Sequence, residues 1–327
     1  GLLRNRGLLE QFAATTPAIR QTQFFYGDER ITLPIKPAPG IAGLYAPRRN
    51  VLDALLRNAA VAAGAELRLG TSCTGLLHDN AGRVIGAELR DEMGCTASVT
   101  SDIVIGADGR LSCVAQFVSA PILETSGNRT AACYTYLDGI PNEGYRWYYA
   151  SDTYAGLIPT NDGQHCFFVG STPERFKTMF REDPFAQMLD VLSTWDPDLA
   201  LAQRMRDPAE RLRRFAGAPG HIRQCTGPGW ALVGDAGYVK DPATAHGITD
   251  AFLDAQRLSD AIISCDLTAY SSMRDPGAAK FFAITQQKAA LDYTLDELKA
   301  LHVQSNACMK VEAAEVEAYA LPGQFAA

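Results

Sequence analysis

The chain has 327 residues, 47% of them hydrophobic and 20% charged, with a formal net charge of -7. That length gives room for one large or two intertwined domains around a sizeable core. The composition excludes a disordered or collagen-like chain, no apolar run reaches the roughly 18 residues of a membrane helix, and the acidic balance argues against nucleic acid as a partner.

Cysteines stand at 73, 95, 113, 133, 166, 225, 265 and 308. No two lie within four residues, so there is neither a CxxC nor a zinc knuckle. Scattered thiols in a large chain point to a reducing, cytoplasmic setting. The five histidines show no HxxxH spacing, and no metal is expected.

In chain order, apolar spacing predicts a helix over 1–14, stopping before Pro17. Strands follow over 19–26 and 30–35 around a Gly27-Asp28 turn, then a loop marked by Pro34, Pro37, Pro39 and Gly40. Residues 49–64 read as an amphipathic helix with Leu52, Leu55, Leu56, Ala59, Ala60 and Ala63 on one face and Gly64 at its end. Short strands over 66–69, 72–77, 84–90 and 96–100 form a meander that leads to Ile103-Val104-Ile105. Residues 118–225 are rich in aromatic and β-branched types. Strands are expected there at 130–136, 147–150, 155–159 and 165–169, then helices over 173–201. A long helix is expected over 277–305, and its acidic continuation with Glu312, Glu315 and Glu317 reads as a solvated face.

Two segments carry chemistry. Ile103 to Ile105 is a buried-strand pattern ending in Gly106-Ala107-Asp108-Gly109, with a helix beginning near Leu111. In an open α/β sheet, ligands bind beyond the carboxyl ends of strands, where Asp108 stands and where Gly106 and Gly109 admit a ligand to the backbone. Trp230 to Val233 repeats the arrangement and ends in Gly234-Asp235. A loop holding Pro242, His246 and Gly247 then feeds a helix with Ile248 in its first turn. A helix start favours anionic or polarised ligands, and an aspartate at a strand end accepts hydrogen bonds from ligand hydroxyls. Either segment alone also reads as an ordinary Gly-rich turn. No GxSxG elbow and no P-loop is present, which disfavours a hydrolase or an NTPase.

These residues resemble the FAD-dependent monooxygenases of the aromatic-hydroxylase type, within the superfamily that includes geranylgeranyl reductases and flavin halogenases. Gly106-Ala107-Asp108-Gly109 with Ser112 is similar to that family's GADGxxS fingerprint. Gly234-Asp235-Ala236, Pro242 and Gly247-Ile248-Thr249-Asp250-Ala251 are similar to its ribityl-binding fingerprint. Arg49 at the start of the 49–64 helix, with Arg48 beside it, resembles an FAD-contacting arginine helix. The resemblance implies cofactor contacts at Arg48, Arg49, Gly106, Asp108, Gly109, Gly234, Asp235, Pro242, His246, Gly247 and Ile248. It departs from the pattern at Tyr238 and His246, where family members often carry His and Gly. The halogenase WxWxIP signature is absent.

The implied fold is mixed α/β: an FAD/NAD(P)-binding Rossmann-like three-layer domain over 1–117 and 226–327, an inserted mixed β-sheet substrate domain over 118–225, and a long C-terminal helix. The family's opening GxGxxG unit is missing, so the chain is expected to lack the N-terminal part of that domain and to expose apolar surface there. The implied activity is NAD(P)H-driven hydroxylation, with O2, of a small aromatic or polyketide-like molecule through a flavin hydroperoxide. Reduction of isoprenoid double bonds, or a non-catalytic remnant, is the alternative. Tyr134, Tyr136, Trp147, Tyr148 and His165 are candidate lining residues of the substrate pocket, of which strand alternation turns only about half to any one side. No catalytic base stands out.

Overall fold

A computed structural model describes residues 1–36 and 40–319; Pro37 and Pro39 of the expected loop lie outside these. The chain divides into two compact units. One holds Gly1–Ala65, Arg129–Ala218 and Lys288–Ala327, and the other Glu66–Asn128 and Pro219–Gln287. The segments 1–65 and 288–327, grouped by sequence with the cofactor turns, thus share a compact unit with the central sheet. No helix among the described residues is long and apolar enough to cross a membrane. All eight cysteines are free.

The first unit is built on a seven-stranded mixed sheet. Its strands run in the order Arg213–Phe215, Ala131–Leu137, His165–Ser171, Thr153–Pro159, Tyr145–Tyr149, Gln21–Tyr26, Glu29–Pro34. Every pair is antiparallel except Gln21–Tyr26 with Tyr145–Tyr149. Side-chain alternation gives the sheet two different faces. Cys133, Val169, Ala155 and Tyr148 occupy one face in register and join a core with Phe176, Met188, Leu189 and Leu192. Those partners come from helices Pro173–Met179 and Pro184–Ser193; Pro197–Arg204 follows. Each of the three begins with proline behind a capping side chain, Thr172, Asp183 or Asp196, which accepts a first-turn N–H. Proline's fixed φ and the cap's oxygen make those starts local properties of the sequence.

Two helical expectations need correction. The 1–14 helix is two short helices, Leu2–Asn5 and Leu9–Ala13, separated at Gly7 with φ 69°. The long 277–305 helix is two, Leu267–Ala290 and Leu295–Ala318. The chain breaks at Leu291, φ 53°, and restarts at a reciprocal capping box between Thr294 and Glu297. Mutual satisfaction of orphan N–H groups makes Thr294 a strong start, and a start inside a run of helix formers ends the preceding helix.

The second unit holds three three-stranded sheets. Thr71–His78, Val84–Asp91 and Thr96–Thr100 form the expected antiparallel meander. The strand expected over 66–69 is absent. Those residues are exposed throughout, and Arg68 turns back to Glu66 instead of facing a ladder partner. Another sheet pairs Ile122–Thr125, His221–Arg223 and Tyr238–Val239. The third is Thr226–Gly227, Trp230–Leu232 and Val104–Gly106. In it Trp230 and Leu232 enter one apolar cluster with Val84 and Val114, while Ala231 enters another with Leu258 and Tyr270. Val104–Gly106 is the edge of this sheet among the described residues. Ile105, Leu111 and Phe117 around it are exposed.

Candidate functional site

The two motif strands lie side by side. Val104–Gly106 pairs with Trp230–Leu232 in parallel, Ile105 opposite Ala231 and Gly106 opposite Leu232. The Val233 N–H donates to the Gly106 carbonyl at 3.0 Å and extends the ladder to the strand ends. The turns carrying Asp108 and Asp235 therefore leave the same end of one parallel pair, the geometry that creates a ligand crevice in α/β sheets.

Around the second turn, Gly234 takes φ 54°, a left-handed conformation glycine adopts without steric cost. Asp235 follows it exposed to solvent. Past the turn, the Pro242–Thr244 segment is capped by Asp241, and helix Gly247–Ile263 starts with no side-chain cap at His246. A β-carbon on Gly247 would meet only Asp235 Oδ1, at 3.9 Å. The carboxylate thus stands beside an uncapped helix start, with exposed Pro242, Gly247 and Ile248 around it. His246 packs on Phe281 with ring centroids 4.9 Å apart. A buried Lys240–Asp250 ion pair ties the two ends of the loop, with the Lys240 ammonium 4.0 Å from the Phe281 ring centroid. A hydroxyl-bearing chain with a polarised ring at its end fits these groups: carboxylate for hydroxyls, helix start for partial negative charge.

The first turn is arranged differently from expectation. Asp108 Oδ2 accepts from the Cys113 N–H at 2.7 Å, the Val114 N–H at 3.2 Å and the Cys113 thiol at 3.1 Å. Burial pushes its carboxyl up, but hydrogen bonds from Ser112, Cys113 and Val114 outweigh that and hold it below the usual range. Asp108 braces the start of helix Cys113–Phe117, which Ser112 also caps through Ala115 N–H at 2.9 Å. A β-carbon at Gly106 would crowd Leu232 and Val114, so its missing side chain makes room for protein. Gly109, φ 78°, has open space at its β-position.

The two arginines also differ. Arg48 is mostly buried. Its guanidinium pairs with Glu210, donates to Gln164 Oε1 at 3.0 Å and lies 4.1 Å from the Tyr136 ring centroid. Arg49 has a side chain 71% exposed and donates to Asp53 at 2.8 Å, so it is the arginine reachable from solvent.

Beneath the Asp235 turn lies a buried polar brace that sequence reading did not single out. Asp254, 1% exposed on helix Gly247–Ile263, accepts the Gly234 N–H at 3.1 Å. Tyr270 donates its hydroxyl to the Leu232 carbonyl at 2.8 Å. Arg274, fully buried, donates to the Arg223 carbonyl at 2.8 Å and pairs with Asp275. Burial pushes the Asp254 carboxyl up to about 6, against the opposing pull of Arg274 and the Gly234 N–H. The signal was present: Asp250 and Asp254 recur at i, i+4 among the core-facing positions of an amphipathic helix, where an acid needs a partner.

In the seven-stranded sheet, the five aromatic and histidine candidates do not share a face. Tyr134, Phe168, Gly156, Trp147 and Phe24 align in register across five strands. The four rings of this row are partly exposed, and Trp147 and Phe168 meet edge to face at 5.8 Å. Tyr136 lies two residues along on the same side, 6.4 Å from Tyr134. Tyr148 and His165 point the other way. Tyr148 stacks on Phe25 at 4.7 Å within the helix-covered core, and His165 pairs in register with core residue Leu137. The five candidates thus divide as strand alternation implies, Tyr134, Tyr136 and Trp147 on one side and Tyr148 and His165 on the other. Gly156 is required by the row, since a β-carbon there would collide with the Phe168 ring; Gly170 makes the same room for Tyr154. Gly156→Ala is expected to lower stability by about 1–3 kcal/mol. Urea denaturation would show it, with a change in Trp147 emission as the ring row shifts.

A digeranylgeranylglycerophospholipid reductase of Methanosarcina mazei is 30% identical over 223 residues, 66% of this chain and 52% of that protein. A menaquinone reductase of Mycolicibacterium smegmatis is 24% identical over 241 residues, 68% of this chain and 55% of that one. The chain therefore spans about half the length of the curated relatives it matches. Among solved structures, PqsL of Pseudomonas aeruginosa, described as a probable FAD-dependent monooxygenase, superposes with TM-score 0.75 at 16% identity, covering 94% of this chain and 86% of that one. The flavin-dependent brominase Bmp2 gives 0.73 at 16%, covering 97% and 86%. The family pattern of the FAD binding domain matches residues 1–271, the stretch that carries both Gly-Asp turns, and the chain belongs to that family.

Proposed function

We propose that this FAD-dependent oxidoreductase reduces carbon–carbon double bonds of an elongated, isoprenoid-like substrate, with NAD(P)H as the ultimate reductant. The observation that carries this reading is the aromatic row. Its five strands are separated by four spacings of about 4.8 Å, so the row is about 19 Å long. A partly exposed apolar strip of that length suits a chain-like molecule better than a single ring. The sequence relatives, named as reductases of a digeranylgeranyl lipid and of menaquinone, support the same class.

FAD, when bound, supplies the electron pair. Asp235 accepts hydrogen bonds from its ribityl hydroxyls, and the uncapped start of helix Gly247–Ile263 favours negative charge by about 1 kcal/mol. The row of Tyr134, Phe168, Trp147 and Phe24 holds the apolar chain and excludes water. Tyr136, on the same side of the sheet as Tyr134, carries a phenol that a chain lying on the row would meet. Burial keeps that phenol protonated, and the Arg48 guanidinium beside its ring favours its phenolate form.

Hydroxylation of a small aromatic molecule with O2 is the second reading, favoured by the motif from Gly106 to Ser112. The purified protein, reconstituted with FAD and reduced without O2, is expected to be reoxidised by a prenyl alcohol, yielding a product with two added hydrogens. Tyr136→Phe is expected to slow that reoxidation while leaving flavin reduction unchanged. A product carrying one added oxygen, formed only in air from a phenol panel, would establish the second reading. A protein that stays colourless with excess FAD would establish a non-catalytic remnant.

A further inference from the structure

The loop between strand Tyr238–Val239 and helix Gly247–Ile263 is closed by a charge pair that water scarcely reaches. The Lys240 and Asp250 side chains are 3% and 7% exposed and bond to each other. The ammonium also lies 4.0 Å from the Phe281 ring centroid and 5.0 Å from that of Tyr238. Both rings are fixed: Phe281 is buried, and Tyr238 donates its hydroxyl to the Ala278 carbonyl at 3.1 Å. Aromatic faces attract a cation, so this pocket favours an ammonium over a neutral donor.

Asp250 stands in the first turn of that helix, where its N–H donates to the His246 carbonyl at 3.1 Å. A helix start carries about half a positive charge, and a carboxylate in the first turn opposes it. Burial leaves such charges little screened by solvent. The reach of the Asp250 charge shows one turn further on, where it adds to the burial that pushes the Asp254 carboxyl up. Left alone, the Asp250 carboxylate would therefore erase the positive pole of the helix. Paired with Lys240, it ties the loop and leaves that pole intact.

We propose that Lys240 is a positioning residue for electron uptake by the flavin: it cancels the Asp250 charge, so that the start of helix Gly247–Ile263 stays electropositive toward the reduced ring. Buried as it is, Lys240 acts through Asp250 and not by contact. The inference rests on the reading that puts the flavin ring at that helix start.

The test is the two-electron midpoint potential of bound FAD, read anaerobically against a reference dye at pH 7. Burial takes the comparable Asp254 to about 6 and Lys288 to about 8, so an unpaired Asp250 or Lys240 keeps its charge at that pH. Lys240→Met is expected to weaken reduced FAD about tenfold relative to oxidised FAD, lowering the potential by about 30 mV. Asp250→Asn is expected to move it the opposite way. The double variant should return to within about threefold of the parent ratio. A purely structural tie would not give opposite signs in the two single variants, and either one that folds decides the matter. The proposal is overturned if a folded single variant keeps the parent ratio within threefold, or if both shift the potential in one direction. A parent that binds no FAD overturns the flavin reading and this inference together, whereas a parent that binds FAD with unmoved potentials in the variants overturns the inference alone.

Discussion

Asp254→Leu is expected to weaken flavin binding at least tenfold and to cost about 3–5 kcal/mol of folding stability, the scale for breaking a buried charged network. The substitution orphans the Gly234 N–H, frees the turn that presents Asp235, and leaves Arg274 with less opposing charge. Asp254→Asn keeps an acceptor for Gly234, and its flavin affinity is expected to stay within about threefold of the parent. A purely structural role would move stability alike in both variants without separating their flavin affinities, so flavin fluorescence titration beside urea denaturation discriminates. The acid has a pH signature as well. Its folded pKa, about 6, lies above the unfolded value, so the folded protein binds a proton that the unfolded chain has released. Stability from this group is full below about pH 4 and declines, by about 3 kcal/mol in all, as pH rises to about 6. Asp254→Asn should lack that decline.

Gly229→Ala is the second large effect. Gly229 has φ 78°, and a β-carbon on it would collide with the Val84 carbonyl oxygen. Its own carbonyl accepts the Val104 N–H at 2.9 Å, the bond that starts the parallel ladder. Left-handed strain and overpacking together are expected to cost about 2–4 kcal/mol. Because the clash sits at the root of the strand that delivers Gly234 and Asp235, flavin retention on gel filtration should fall with the melting temperature. An unchanged melting temperature would show that the strand pair tolerates another entry geometry.

Strands were legible where alternation and burial coincided. The strands expected over 130–136 and 165–169 appear as Ala131–Leu137 and His165–Ser171, where most positions alternate between buried and half-buried. Residues 66–69 misled because their apolar types, Leu67 and Leu69, face water. The two strand–turn segments were legible as like units, and the structure sets them side by side in parallel register. What the motif did not reveal was the division of labour between its members. Asp108 spends one oxygen on its own helix, Gly106 makes room for Leu232, and Arg48 is engaged by Glu210. Such roles depend on which partners tertiary packing brings near, and local spacing does not encode them. The break at Leu291 was encoded, in the Thr294-x-x-Glu297 pattern, but a smooth run of helix formers on both sides masked it.

The rings laid across Gly156 and Gly170 have a consequence for how this sheet can vary over time. Each ring occupies the space of a missing side chain on the adjacent strand, so Phe168 and Gly156 share one volume, as do Tyr154 and Gly170. Neither member can enlarge alone. Alanine at 156 becomes tolerable once Phe168 is shortened, and the double replacement should be milder than the two single costs combined. In descendants of this chain the two sites are therefore bound to drift together, and a lineage that exchanges them acquires a differently contoured strip.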